Sequence, residues 1–275
     1  MRFADLERLL PDVGFAEVPV TTLTSRVPTA LERSPLVDAV FELRFRGDNR
    51  GRAGNLLPGL FFNKLESIVS RTEDLPTQSI PKDIRDRDPG LVYAPLHALH
   101  LQDSIVRVGD RVLAVSRVMP YPGWTSFRTS LGNVLDVAQG IDLLRDVERV
   151  SFRFINLLPA HGSESIPMST LRLEMAGNPL PESGLKLRYE LRDMEHAVVI
   201  QVVPGSTVEG PGVPKRSGLL VDVDAIRLAR LQSFWDEREE IIGVCHDRLK
   251  HVFFSLLTPE TIVSLGPTYN EEGID

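Results

Sequence analysis

The chain has very little cysteine. Cys245 is the single cysteine among 275 residues, so an internal disulfide framework of the kind found in small secreted proteins is excluded. The first ten residues (MRFADLERLL) mix acidic and basic side chains and lack the apolar segment of a secretory signal. No stretch approaches the run of about 18 apolar residues that a membrane span needs. These absences predict a cytoplasmic protein with no membrane association.

Lysine is also scarce, because only five of the 31 basic residues are lysines. Arginine therefore carries nearly all the positive charge, which fits a GC-rich coding sequence and also fits planar recognition of carboxylate or phosphate. The formal net charge is -7, so a nucleic acid would meet net repulsion unless the basic residues cluster on one face. Nucleic acid is therefore not favoured as a partner.

Signatures of known catalytic sites are missing. The sequence has no glycine-rich phosphate loop, no HExxH and no GxSxG, and a CxxC pair is impossible with one cysteine. We therefore predict no cofactor, no metal site and no catalytic residues, and an enzyme is the less favoured interpretation.

What the chain does contain is a series of strand patterns. Hydrophobic residues make up 42% and charged residues 25%, as in ordinary globular domains. The clearest strand lies at 35–46 (PLVDAVFELRFR), where Phe41, Leu43 and Phe45 alternate with charged residues. Such alternation is typical of a strand with one buried face.

The patterns divide the chain into an N-terminal arm and two units, with the boundaries 1–34, 35–145 and 146–275. The arm is expected to order only against the body or a partner. The first unit has predicted strands at 35–46, 91–101, 104–108 and 111–118 and predicted helices after Pro58 and at 124–138. The second has predicted strands from Val147 and at 169–175, 185–192, 197–203 and 219–226, a loop at 204–218 and a helix at 234–257.

Each unit is thus an antiparallel meander closed by a helix, which predicts an α+β fold with helices packed on sheet faces. The segment 72–90, with three prolines and many charges, is predicted to be a loop. The sequence leaves open whether the two units share one sheet or form one continuous domain.

Two acidic residues on the last predicted strand of the second unit are candidates for chemistry. Asp222 and Asp224 alternate with valines, so both carboxylates project from one face of a strand. Paired carboxylates can bind a divalent ion or act as acid and base. A polar outer face beside a buried valine face explains the same pattern.

The final predicted helix holds the largest concentration of ligand-type residues. Asp247 and His251 are four residues apart and therefore neighbours on the helix surface. Cys245 lies on the apolar stripe, on another side of the helix from Asp247, so it cannot bind the same ion as that pair without partners elsewhere. An ordinary surface pair and a buried thiol is the simpler interpretation.

Four motifs together resemble a sporadically distributed bacterial family of uncharacterised proteins that open with a PLV-x-AVFE-x-RF strand. They are PLVDAVFELRF (35–45), YPGWTSF (121–127), VSFRFIN (150–156) and LKHVFFSLLTPE (249–260). The resemblance covers most of 35–260 and implies no assigned reaction. Arg153 and Asn156 match the polar positions of the family's R-[FY]-[IV]-N strand, which implies a structural hydrogen-bonding role. The patchy occurrence of the family suggests defence or toxin-antitoxin gene neighbourhoods.

Three functional hypotheses follow. The leading one is a non-enzymatic protein-binding or assembly module, with a protein partner or self-association through a sheet edge or groove. The first alternative is a nucleotide- or nucleic-acid-processing enzyme, which requires arginines and Asp222, Asp224 or His251 to converge in one cleft. The second alternative is a small-ligand carrier, which requires an apolar cavity of several hundred cubic ångströms.

Overall fold

A computed structural model describes residues 27–46, 53–159, 165–210, 213–229 and 231–269. Its strands are β1 (Ala30–Leu31), β2 (Leu36–Phe45), β3 (Val69–Asp74), β4 (His97–Leu101), β5 (Ser104–Val108), β6 (Val112–Arg117), β7 (Val147–Pro159), β8 (Glu174–Met175), β9 (Asn178–Pro179), β10 (Leu187–Arg192), β11 (His196–Gly210), β12 (Val213–Arg227) and β13 (Pro267–Thr268). Its α-helices are α1 (Ala53–Leu65), α2 (Lys82–Arg87), α3 (Trp124–Gln139), α4 (Phe234–Ser255) and α5 (Pro259–Ser264). Residues 1–26 of the predicted arm lie outside the described residues.

The dominant feature is one antiparallel sheet of nine strands, in the order β10-β11-β12-β7-β2-β6-β5-β4-β3. Strands from both predicted units lie in it and meet where β2 pairs with β7, with Phe41 opposite Phe152. The two sides of this seam have the same topology. On one side β2 is followed by β6, β5 and β4, and on the other β7 is followed by β12, β11 and β10, so in each half the first strand lies beside the last and the numbering falls towards the sheet edge. The predicted α+β fold of antiparallel meanders with packed helices is confirmed.

The hydrophobic core lies between the sheet and helices α1, α3 and α4. Phe41 and Phe152 sit at its centre with their ring centroids 5.1 Å apart, and Phe127 of α3 packs edge-on against Phe152. The buried residues of α3 and α4 recur every three or four positions, which gives each helix one apolar stripe. Each fully buried large side chain contributes roughly 1.5–3 kcal/mol to the hydrophobic stabilisation.

The prediction of a loop at 204–218 is wrong, because β11 extends to Gly210, β12 begins at Val213, and the described residues of the two strands pair with each other. The register between the two strands shifts from Val203 to Ser206 and again from Val208 to Gly210. These irregularities accommodate the glycines and prolines of the segment. Gly205 adopts a φ of 62°, and at each register shift one extra residue is left out of the hydrogen-bonded strand pairing. Prolines are tolerated because this part of the hairpin extends past the neighbouring strands and needs fewer ladder bonds.

The start of α1 also differs from the prediction, because the helix begins at Ala53 and contains Pro58 instead of starting there. The Asp110 carboxylate, from the turn between β5 and β6, accepts a bond from the Gly54 amide at 3.3 Å. A Cβ on Gly54 would lie 2.8 Å from that carboxylate, so a larger residue would displace the Asp110 side chain. A residue distant in sequence therefore fixes the first turn.

Three other predicted boundaries are corrected. The strand expected at 91–101 begins only at His97, after turns, and the strand expected at 169–175 is reduced to Glu174–Met175. The loop expected at 72–90 contains the end of β3, a 3-10 turn at Pro76–Ser79 and helix α2. The two strands pair only over these shorter lengths, β4 with β3 and β5 and β8 with β9.

Candidate binding surface

The sheet face opposite α1, α3 and α4 carries a continuous set of charged side chains on three adjacent strands. The register places Asp224 opposite Arg153 and Glu42 opposite Ser151, and alternation puts the other long polar residues of these strands on the same side. We call this set the polar face. It comprises Glu42, Arg44, Arg149, Arg153, Asp222 and Asp224.

One half of the polar face is a forked ion pair between β7 and β12. Arg153 Nε donates to both carboxylate oxygens of Asp222 at 2.9 and 3.1 Å, and its Nη2 donates to Oδ2 at 2.6 Å. Gln201 Nε2 donates to the same Oδ2 at 2.9 Å. Asp222 is only 3% exposed, whereas the Arg153 side chain is 47% exposed. The carboxylate therefore accepts from two side chains, and it holds a half-exposed guanidinium in one orientation.

The Arg153 guanidinium keeps donor capacity after this pairing. Its hydrogen bonds to Asp222 raise its pKa further, so it stays charged at any physiological pH. Within the described residues its Nη1 makes no hydrogen bond. An approaching acceptor therefore meets a preorganised donor.

The other half of the polar face centres on Arg149. Its Nη2 donates to Asp224 Oδ2 at 2.9 Å and its Nη1 donates to Glu42 Oε1, so one guanidinium links β2, β7 and β12. Arg44 Nε also donates to Glu42 Oε1, at 2.7 Å, and the Arg44 guanidinium lies 4.2 Å from the Tyr93 ring centroid. The ion pair between Arg149 and Glu42 thus joins the two halves of the sheet across the seam.

Two carboxyl groups on this side of the sheet have pKa values above the usual range. Burial raises the pKa of Asp224, against the opposing effect of Arg149. Burial also raises the pKa of Asp38, and the nearby Arg107 opposes that shift. The polar face itself contains three arginines and three acids, so its charges balance and it offers no basic track for a polyanion.

The structure brings together three of the six candidate residues, namely Arg153, Asp222 and Asp224. Asn156 is buried on the opposite face of the sheet, level with Val221. Asp247 and His251 lie on α4, also across the sheet from the polar face, and Asp247 Oδ1 is 3.3 Å from His246 Nδ1. On this sheet face Arg153 pairs with Asp222 and Asp224 pairs with Arg149, and His251 takes no part there.

Sequence reasoning missed Arg149, Glu42 and Gln201, which complete the network. Glu42 and Arg149 alternate with buried residues along their strands, which predicts that they face away from the core. Their hydrogen-bond partners could be identified only once the strand order β12-β7-β2 was known. Within the described residues no group of three or more His, Cys, Asp or Glu side chains is placed to hold a metal ion.

No protein-family model matches the chain, and no curated protein shows significant similarity to it. The resemblance to the bacterial family of uncharacterised proteins therefore stays a prediction. Among the described helices, none has the length and apolar character needed to cross a bilayer.

Proposed function

We propose that this chain is a non-enzymatic protein-binding module of the bacterial cytoplasm, and that its partner docks on the polar face. The observation that carries the proposal is the Arg153 guanidinium, which is half exposed and is held in place by a buried carboxylate. Arginine is among the residues that most often dominate protein interfaces. A donor fixed in advance loses little conformational entropy when a partner binds.

The chemistry of the surface favours a protein over the other classes. A balanced set of charges gives no net attraction to a nucleic acid, whereas it matches a protein surface with alternating charges. Asp222 already accepts hydrogen bonds from Arg153 and Gln201, so a role as a base or metal ligand would require these bonds to break. The expected partner segment carries a carboxylate that accepts from the free Nη1 of Arg153. A second copy of the chain is one form that this partner can take.

The experiment compares two arginines of equal exposure on opposite layers of the fold. Arg128 of α3 is 49% exposed and pairs with Glu239, so it matches Arg153 in residue type, exposure and ion pairing. Immobilised wild type, Arg153→Ala and Arg128→Ala are used for quantitative capture from the cell of origin, and light scattering measures self-association of each variant. We expect the captured protein, or the dimer, to be lost only with Arg153→Ala.

Equal capture by both variants, or a monomeric wild type that captures nothing, would contradict the proposal. Thermal unfolding checks that each variant folds. If Arg153→Ala leaves the buried Asp222 too destabilised, the double variant Arg153→Gln with Asp222→Asn removes both charges of the pair and gives the same comparison. Binding of a labelled oligonucleotide that depends on Arg153 would favour the nucleic-acid alternative instead.

A further inference from the structure

A cleft of about 620 Å³ lies at one end of the four central strands, away from the ion pairs of the polar face. The start of β2, the segment after β6, the end of β7 and the early part of β12 all reach it, because antiparallel pairing brings these ends together. This volume falls within the range of about 300–1,000 Å³ that is typical of small-molecule sites.

The lining of the cleft is mainly apolar. Its apolar residues include Leu36, Met119, Pro120, Pro159, Met168 and Leu265. Methionine side chains adapt their rotamers to what they contact, so Met119 and Met168 can repack around a bound molecule. The cleft thus suits a ligand with an apolar body.

Two buried donors in this lining have no partner. Within the described residues, the Tyr121 hydroxyl and the Arg216 Nε are both shielded from solvent and make no hydrogen bond. Native proteins pair nearly all buried polar groups, so two orphaned donors at one cleft require an explanation. Both atoms are covered in the free protein, so the acceptor of a ligand reaches them once neighbouring side chains of the lining repack.

The Tyr121 ring is firmly positioned. It packs edge-on against Phe127 and Phe154, with centroid separations of 6.3 and 5.9 Å. Burial raises the pKa of its hydroxyl above the usual value, so it remains protonated and can donate.

Charge complementarity sets the sign of the ligand. Three charged side chains line the cleft, and two of them, Glu32 and Arg33, pair with each other at 3.4 Å. Arg33 Nε also donates to the Ser264 carbonyl at 2.7 Å. Arg216 is therefore the unbalanced charge, and it favours a monoanion.

We propose that this cleft binds a small organic acid, whose carboxylate accepts hydrogen bonds from Tyr121 and Arg216 and whose apolar body packs on Met119 and Met168. The inference does not depend on the proposed partner of the polar face, since none of these four residues belongs to that surface.

The test uses hexanoate, decanoate and naphthalene-2-carboxylate as probes, with decanamide as the uncharged counterpart of decanoate. Protein labelled with ¹³C at the methionine methyl groups is titrated with each probe and followed by NMR. Met119 and Met168 report on the cleft, while the exposed Met175 and Met194 are internal controls. We expect at least one acid to shift the Met119 and Met168 signals and to leave the controls unchanged.

Substitutions then identify the polar contacts. Arg216→Gln should weaken acid binding about tenfold, because a charge-assisted bond is lost. Tyr121→Phe removes only the hydroxyl and should weaken binding about threefold to tenfold. Arg188→Gln, at an exposed arginine of β10, should change nothing.

Three results would overturn the inference. The first is that none of the acids shifts Met119 or Met168. The second is that decanoate and decanamide bind equally and neither responds to Arg216→Gln. The third is that removal of residues 1–26, and no acid, changes the Met119 and Met168 signals, which would mean that the chain fills its own cleft.

Discussion

His246 of α4 should make the stability of this protein depend on pH. It is buried, and its ring stacks on Trp124 with a centroid separation of 3.8 Å and an interplanar angle of 9°. Burial lowers the pKa of His246 to about 4, with Lys250 acting in the same direction and Asp247 opposing it. The unfolded chain should titrate near the ordinary histidine pKa of about 6.5.

The sign and size of the effect follow from this difference. Between pH 6.5 and pH 4 the unfolded chain takes up a proton that the folded chain refuses, so acid favours unfolding. The contribution of His246 is fully present above pH 6.5 and is lost as the pH falls towards 4. At roughly 1.4 kcal/mol for each pKa unit, the loss amounts to about 3 kcal/mol of unfolding free energy.

The substitution His246→Phe keeps an aromatic ring against Trp124 and removes the titration. Urea unfolding at pH 7 and pH 4 should show that the variant loses about 3 kcal/mol less than the wild type over this interval. His251→Phe, at an exposed histidine of the same helix, serves as the matched control and should keep the wild-type pH dependence. If His246→Phe and wild type lose the same stability between the two pH values, the burial argument is refuted.

Three further substitutions test the packing and the polar face by urea unfolding. Gly218→Ala should destabilise by more than about 3 kcal/mol, because its Cβ would lie 1.9 Å from the Leu158 carbonyl oxygen and the two strands would have to separate. Gly243→Ala, in an open position of α4, should instead stabilise by about 0.5–1 kcal/mol, and a similar loss at both glycines would contradict the close approach. Asp222→Ala should lower the free energy of unfolding by about 1–3 kcal/mol, because it leaves the Gln201 amide without its acceptor. An unchanged free energy of unfolding would show that the network does not stabilise the fold.

The parts of the fold that are encoded locally could be predicted from the sequence. The apolar stripes of α3 and α4 gave their ends to within one or two residues, since helix periodicity needs only neighbours in the chain. The strand at 35–46 and its counterpart from Val147 were recognised in the same way, from alternation alone.

The parts that depend on distant residues could not be predicted. The first turn of α1 is held by Asp110, which is distant in the sequence. The hairpin at 204–218 is local, but its glycines and prolines are typical of loops, and the pairing between its two strands overrides that tendency. The candidate site divides in the same way. The parity of β12 placed Asp222 and Asp224 on one face, but their pairing with Arg153 and Arg149 required the strand order of the finished sheet.

The central claim is that a partner contacts the Arg153 guanidinium, and side-chain NMR of arginine tests it most directly. The Nε–H of Arg153 is held by Asp222, and that of Arg128 is held by Glu239, so both protons are hydrogen-bonded in the free protein. Addition of the captured partner, or of a second copy of the chain, should shift the Arg153 Nε–H signal and leave the Arg128 signal in place. A shift at Arg128 with an unchanged Arg153 signal would contradict the assignment of the polar face as the binding surface.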